Sequence, residues 1–140
     1  MKAVFIAALS GTVGLVGGLA LAKSSYPPLE VILASGTTII GQEVKYPIGT
    51  PMVTAAIVTM EPGANTGWHH HDAPLFAWVL DGELTVDYGP DGSKKYQKDD
   101  AFLEAFKTDH DGTNTGDTPT RILAVFMGSV AVSNTVMRDH

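Results

Sequence analysis

Polar and apolar side chains alternate one for one along Glu83-Leu84-Thr85-Val86-Asp87-Tyr88, the period of a strand with one buried face. Just upstream, Leu75 to Leu80 is apolar and partly aromatic. The intervening Asp81-Gly82 favours a type I′ turn, so Leu75 to Tyr88 is predicted as a β-hairpin. Met52 to Met60 is β-branched at Val53, Thr54, Ile57, Val58 and Thr59 and reads as another strand. Leu29 to Ala34 and Thr37 to Tyr46, the latter broken by Gly41, read as strands nearer the N-terminus. Lys94 to Gln97, Ala101 to Phe106 and Arg121 to Met127 follow, separated by turn clusters at Gly89 to Ser93 and Thr115 to Pro119 and by a loop carrying His110 and Asn114. The tail to His140 has no clear pattern, and nothing has the period of a long amphipathic helix. Many short strands at close turn spacing predict an all-β sandwich or barrel.

Composition narrows the function classes. The 140 residues suit one domain with a proper core. Fifteen acidic against nine basic residues give a formal charge of −6, with no basic patch, so nucleic acid is not an expected partner. Cysteine is absent, which excludes disulfides, thiolate ligands, a cysteine nucleophile and a lipid-modified cysteine anchor. Residues 1–22 have the form of a secretory signal: Met1-Lys2, an uncharged and mostly apolar run, then Ala20-Leu21-Ala22 as a cleavage site. The expectation is a periplasmic or secreted protein whose domain is residues 23–140. An uncleaved run would instead be a membrane anchor, the one way a membrane enters the picture.

Four of the five histidines are His69, His70, His71 and His110. On an extended strand His69 and His71 share a face and His70 points the other way. Two imidazoles so placed can reach one metal ion at roughly 2.0–2.2 Å.

Gly63, five residues, His69, one residue, His71, then Gly82 resembles the first motif of the cupin superfamily, which reads Gly, five residues, His-x-His, three or four residues, Glu, six residues, Gly. Leu75 stands where that motif has its glutamate. His110, three residues, Asn114 matches the end of the second motif, whose glycines and proline are replaced here by Asp99, Ala105 and Lys107. The resemblance spans Pro47 to Met127. It implies a cupin-type jelly-roll barrel (a double-stranded β-helix) and a site in which His69, His71 and His110 hold one divalent transition metal.

In cupins the fourth ligand is usually the motif glutamate, and Glu104 is the candidate to replace it. By alternation Phe102, Glu104 and Phe106 share a face, and a carboxylate between two phenylalanines needs a cation or hydrogen bonds. The opposite orientation, with Ala101, Leu103 and Ala105 inward, is also open on periodicity. Imidazole and carboxylate suit iron, manganese, nickel, copper or zinc. Small Ala77 would leave room in the cavity, and Phe102 and Phe106 would make it apolar. Trp68 and His70 read as packing or surface residues, Asp72 as a solvated carboxylate or an outer partner of a histidine, and Asp100 and Asn114 as turn residues. The site and the resemblance together imply a metal-dependent dioxygenase or related oxidoreductase on a small organic substrate. The alternatives are a metal- or ligand-binding protein without turnover, and a cupin isomerase or decarboxylase. The resemblance also implies a homodimer.

Overall fold

A computed structural model describes residues 27–138. The chain divides into residues 1–30 and a compact unit from Val31 to His140. The expected signal segment, residues 1–22, lies outside the described residues. Among the described residues no helix is long and apolar enough to cross a membrane.

The compact unit is built from antiparallel strands: β1 (Pro51–Met60), β2 (His69–His70), β3 (Leu75–Asp81), β4 (Glu83–Asp87), β5 (Ser93–Gln97), β6 (Ala101–Leu103), β7 (Asp111–Thr113), β8 (Thr120–Ser129) and β9 (Val136–Met137). They form a sheet in the order β1-β8-β3-β6, a second in the order β5-β4-β7, and the small pair β2-β9. This is the all-β class expected from the pattern, in the jelly-roll form that the resemblance implied. Alternation sets the core: Leu75, Ala77 and Val79 of β3, Leu84 and Val86 of β4, and Ile122 and Ala124 of β8 are buried. Each large aliphatic side chain so buried contributes roughly 1.5–3 kcal/mol. Tyr96 of β5 stacks on Phe102 of β6 with ring centroids 3.8 Å apart, tying the two sheets together.

Five readings of the sequence need correction. β3 and β4 are not a hairpin: β3 pairs with β8 and β6, whereas β4 pairs with β5 and β7. Asp81-Gly82 is therefore a corner that carries the chain from one sheet to the other. Each strand has its own apolar face to bury, and local turn chemistry does not decide which partner each finds. Leu29 to Ala34 forms no strand and Leu29 and Val31 are exposed; a short apolar run without a partner cannot hold extended structure. Thr37 to Tyr46 contributes one isolated bridge, Thr37 to Glu43, around a turn at Gly41. The strand begun at Ala101 ends at Leu103 rather than Phe106, and the segment read as a loop beyond His110 contains β7.

The second-motif positions keep the backbone of glycine without its side chain. Asp99 (φ 73°) and Lys107 (φ 51°) are the two residues other than glycine with positive φ among the described residues. They occupy the two places where the motif has glycine. The left-handed conformation costs an ordinary L-residue about 1–2 kcal/mol, so the path of the chain into His110 is retained against that cost.

Candidate metal centre

Alternation places the histidines as expected, even on a strand of two residues. His69 and His71 are buried and His70 is partly exposed on the other side. His69 and His110 face each other across a bridge: the His69 N–H donates to the His110 carbonyl at 3.0 Å and the reverse bond is 2.8 Å. His70 turns to the outer face, its Nδ1 3.1 Å from Asp109 and its Nε2 3.7 Å from Asp72. The histidine that Asp72 meets is thus His70 and not one of the inward three.

The three inward rings form a near-equilateral cluster, with centroid separations of 4.9 Å (His69–His71), 4.5 Å (His69–His110) and 5.0 Å (His71–His110). One ring nitrogen of each lies within 4.8 Å of those of the other two, a grouping able to hold a metal ion. Their orientation is fixed from behind. Nδ1 of His69 meets the Gly67 carbonyl at 2.7 Å, that of His71 the Asn134 carbonyl at 2.9 Å, and that of His110 the Thr108 carbonyl at 2.8 Å. A carbonyl only accepts, so each Nδ1 carries the proton and each Nε2 keeps a lone pair directed inward. Nε2 of His110 is buried with no hydrogen-bond partner among the described residues. A buried nitrogen left bare is costly, and a shared ion would satisfy it together with its two neighbours. The residues therefore fit a metal.

Glu104 is buried beside them, the inward orientation of its segment. Its backbone N–H donates to the Leu75 carbonyl at 2.9 Å, next to the β3–β6 pair Phe76–Leu103. The carboxylate thus stands one residue past the end of β6, on backbone hydrogen-bonded to Leu75, which has replaced the motif glutamate. Its Oε1 accepts from the Ala105 N–H at 2.7 Å, and its Oε2 lies 3.9 Å from Nε2 of His110. Two residues that spacing did not single out hold it in place. The Gln42 side chain donates to the Phe106 carbonyl (2.7 Å) and accepts from the Phe106 N–H (2.8 Å), clamping the chain just past Glu104. The Tyr88 hydroxyl, 3.0 Å from that of Tyr96, also favours the charged form of the carboxyl group. Both contacts are long-range in sequence and leave no local signature.

The cluster opens on a cavity of about 210 Å³ whose walls include Ala77, Leu84, Val86, Phe102, Ile122 and Phe126. Ala77 and Phe102 line it as expected. Phe106 does not, because regular alternation ends with β6 at Leu103. Asn114 acts as the turn residue foreseen: its Nδ2 donates to the Met60 and Thr118 carbonyls (2.9 and 2.8 Å) and its Oδ1 accepts from Gly116 (2.9 Å). Asp100 caps a turn through the Gln97 N–H at 2.7 Å.

Burial lowers the pKa of all three inward imidazoles, that of His71 to about 3, with neighbouring His110 adding to the effect there. They stay neutral at pH 7, the form a metal requires, so the 3.9 Å approach of Glu104 to His110 is not an ion pair in the metal-free protein. Burial pushes the Glu104 carboxyl up to about 7, against the opposing pull of the Ala105 hydrogen bond and the Tyr88 hydroxyl. In metal-free protein the signs are opposite. Below the ordinary pKa of 6.5, His71 takes a proton in the unfolded chain and resists it when folded, so stability is lost as pH falls from 6.5 towards 3. Glu104 keeps its proton in the fold but loses it when unfolded, so its contribution is present below 4.5 and is lost as pH rises towards 7. Glu104→Gln should therefore stabilise metal-free protein at pH 8 by about 3 kcal/mol and change little below pH 4.5. Urea unfolding at the two pH values checks this; an equal shift at both would show that the carboxylate carries no burial cost.

Comparison with known proteins gives the same picture. The family model described as the cupin domain matches residues 56–126. No curated protein sequence matches. Among solved structures, the Lactobacillus farciminis oxalate decarboxylase formate complex superposes with a TM-score of 0.53 at 22% identity, over 61% of this chain and 26% of that one. A Bacillus subtilis oxalate decarboxylase, studied for its Mn(II) centres, gives 0.51 at 27% identity over 61% of this chain and 23% of its own. A sugar phosphate isomerase from a cupin superfamily, from Silicibacter pomeroyi, gives 0.53 at 22% identity over 63% and 57%. The chain thus spans about a quarter of the decarboxylases and just over half of the isomerase. With the family model covering half of its length, and the histidines and glycines of the first motif in place on a jelly roll, the chain belongs to the cupin domain family.

Proposed function

We propose that the chain is a mononuclear metal-dependent enzyme, an oxidoreductase of the dioxygenase type acting on a small organic molecule. The observation that carries this reading is the convergence of three carbonyl-anchored imidazoles, one with a buried and unpartnered Nε2, on the wall of a substrate-sized cavity. His69, His71 and His110 would hold the ion, with Glu104 as fourth ligand; iron, manganese, nickel, copper and zinc all suit this donor set. Such an ion, when bound, supplies Lewis-acid or redox chemistry at the positions the protein leaves open.

The chain's own residues do the rest. The Gly67, Asn134 and Thr108 carbonyls keep the imidazoles in the binding tautomer. Glu104, with a pKa near neutrality, gives up its proton when positive charge arrives beside it. The apolar walls keep bulk water from the reacting centre. A second reading, a binding protein without turnover, is favoured by Leu75 in place of the motif glutamate. Decarboxylation or isomerisation, the activities named for the structural neighbours, is the third.

Metal analysis of untagged protein, paired with dioxygen uptake on a panel of small organic compounds, separates them. Iron, copper or manganese near one per chain, with substrate-dependent uptake, is the expected result. Zinc alone or no metal, with no uptake, would favour the binding protein, and metal-dependent turnover without uptake would favour the third reading.

A further inference from the structure

We propose that the cavity beside the histidines selects a compact, mainly apolar molecule about the size of one substituted ring, with a single oxygen donor directed at the histidine cluster and no second anionic group. The proposal rests on the metal reading for the position of the oxygen donor; the shape and polarity of the cavity stand apart from it.

The hollow has a specific origin. Ala77 of β3 and Ala124 of β8 are register partners on adjacent central strands, and both are buried in the cavity wall. Neither sends anything beyond Cβ into the space, so the floor is low where larger residues would fill it. Leu84, Val86, Phe102 and Ile122 surround the hollow. The volume of about 210 Å³ exceeds the roughly 150 Å³ at which an apolar cavity takes benzene, which leaves room for a ring and a small substituent.

Polarity is confined to the histidine end. Besides the three histidines and Glu104, the side chains able to hydrogen-bond along the wall are Thr66 and Thr135. Both are engaged with their own framework: the Thr66 hydroxyl accepts from the Gly112 N–H at 2.9 Å and donates to Gly67 or Asp111, and Thr135 lies 3.3 Å from Nδ1 of His71. Among the described residues no lysine or arginine lines the cavity. Arg138, next to Met137 at the rim, is 3.6 Å from Asp109 on the outer face. An oxygen donor at the histidine end is matched, whereas an anionic group at the far end meets hydrocarbon with no donor, an uncompensated desolvation. A dicarboxylate or a sugar phosphate carries such a group.

The test is calorimetric titration of manganese-loaded and metal-free protein with phenol, glutarate and ribose 5-phosphate, repeated on Ala77→Leu and Ala124→Leu, with manganese content measured on every sample. Phenol is expected to bind both forms of the wild type, more tightly when manganese is present. Glutarate, whose second carboxylate would reach the far end, and ribose 5-phosphate should bind the loaded form at least about tenfold more weakly than phenol and the metal-free form not at all. Either leucine fills the hollow and should weaken phenol about tenfold or more while leaving manganese content unchanged. The proposal is overturned if glutarate or ribose 5-phosphate binds as well as phenol, if phenol binds neither form, or if phenol is indifferent to both leucine variants. Wild type that takes up none of manganese, iron, nickel, copper and zinc would sink the metal reading, and titration of the metal-free form would still decide the nature of the cavity.

Discussion

His71→Ala is expected to strip the protein of its metal, and His69→Ala and His110→Ala to do the same, while His70→Ala keeps near one ion per chain. Each inward imidazole presents one Nε2 to a common point, and its removal leaves water as the sole replacement. Loss of a mere outer partner of a metal-bound histidine already costs about 10–100-fold in affinity, so loss of the histidine itself should exceed about a hundredfold. His70 is the internal control. It lies between two ligands in sequence, yet its ring contacts Asp109 and Asp72 on the outer face. Elemental analysis and a competition titration against a chelating dye measure the effect. Metal retained by His69→Ala and lost from His70→Ala would mean that the strand register is wrong.

Gly82→Ala should be among the most destabilising single-methyl changes available. Gly82 has φ +77° at the corner between β3 and β4, and a Cβ there would stand 2.7 Å from the Pro119 carbonyl, 2.7 Å from the Thr120 hydroxyl and 2.8 Å from the Thr120 Cα. Two of those three atoms are backbone, so no side chain can swing aside. Thr120 is fully buried, and its hydroxyl donates to the Glu83 carbonyl (2.6 Å) and accepts from the Glu83 N–H (3.1 Å), the pair that pins the start of β4. Left-handed strain, overpacking and a damaged hydrogen-bond pair add to about 3–5 kcal/mol, which should lower Tm by more than about 10 °C. Gly63→Ala is the matched control: its φ is +78° with no atom within 4 Å of the added methyl, so it should cost about 1–2 kcal/mol. Equal losses for the two variants in urea unfolding would show that the corner tolerates the methyl and that strain alone is at work.

These two sites also show what the sequence made legible. The side-chain period of a strand is two residues whatever its length, so the division of His69 and His71 from His70 could be read directly. The first-motif glycines mark backbone that must adopt positive φ, and Gly63 and Gly82 do. Strand partnership was not legible. Asp81-Gly82 has the local chemistry of a hairpin, but pairing is decided by which apolar faces meet across the barrel. The same holds for Glu104, whose place beside Leu75 follows from the β3–β6 register and not from any spacing. The Nδ1 anchors could not be foreseen either: the Asn134 carbonyl reaches His71 from 63 positions away through backbone that any residue would supply. Phe106 was assigned to the cavity by extending alternation past the point where the strand ends.

The most direct measurement of the central claim is anomalous diffraction at the metal edge from crystals of manganese-loaded protein. The account predicts one strong peak within about 2.0–2.3 Å of Nε2 of His69, His71 and His110, with a Glu104 oxygen in its coordination shell. A peak between His70, Asp72 and Asp109 on the outer face, or no peak near the inward imidazoles, would contradict it.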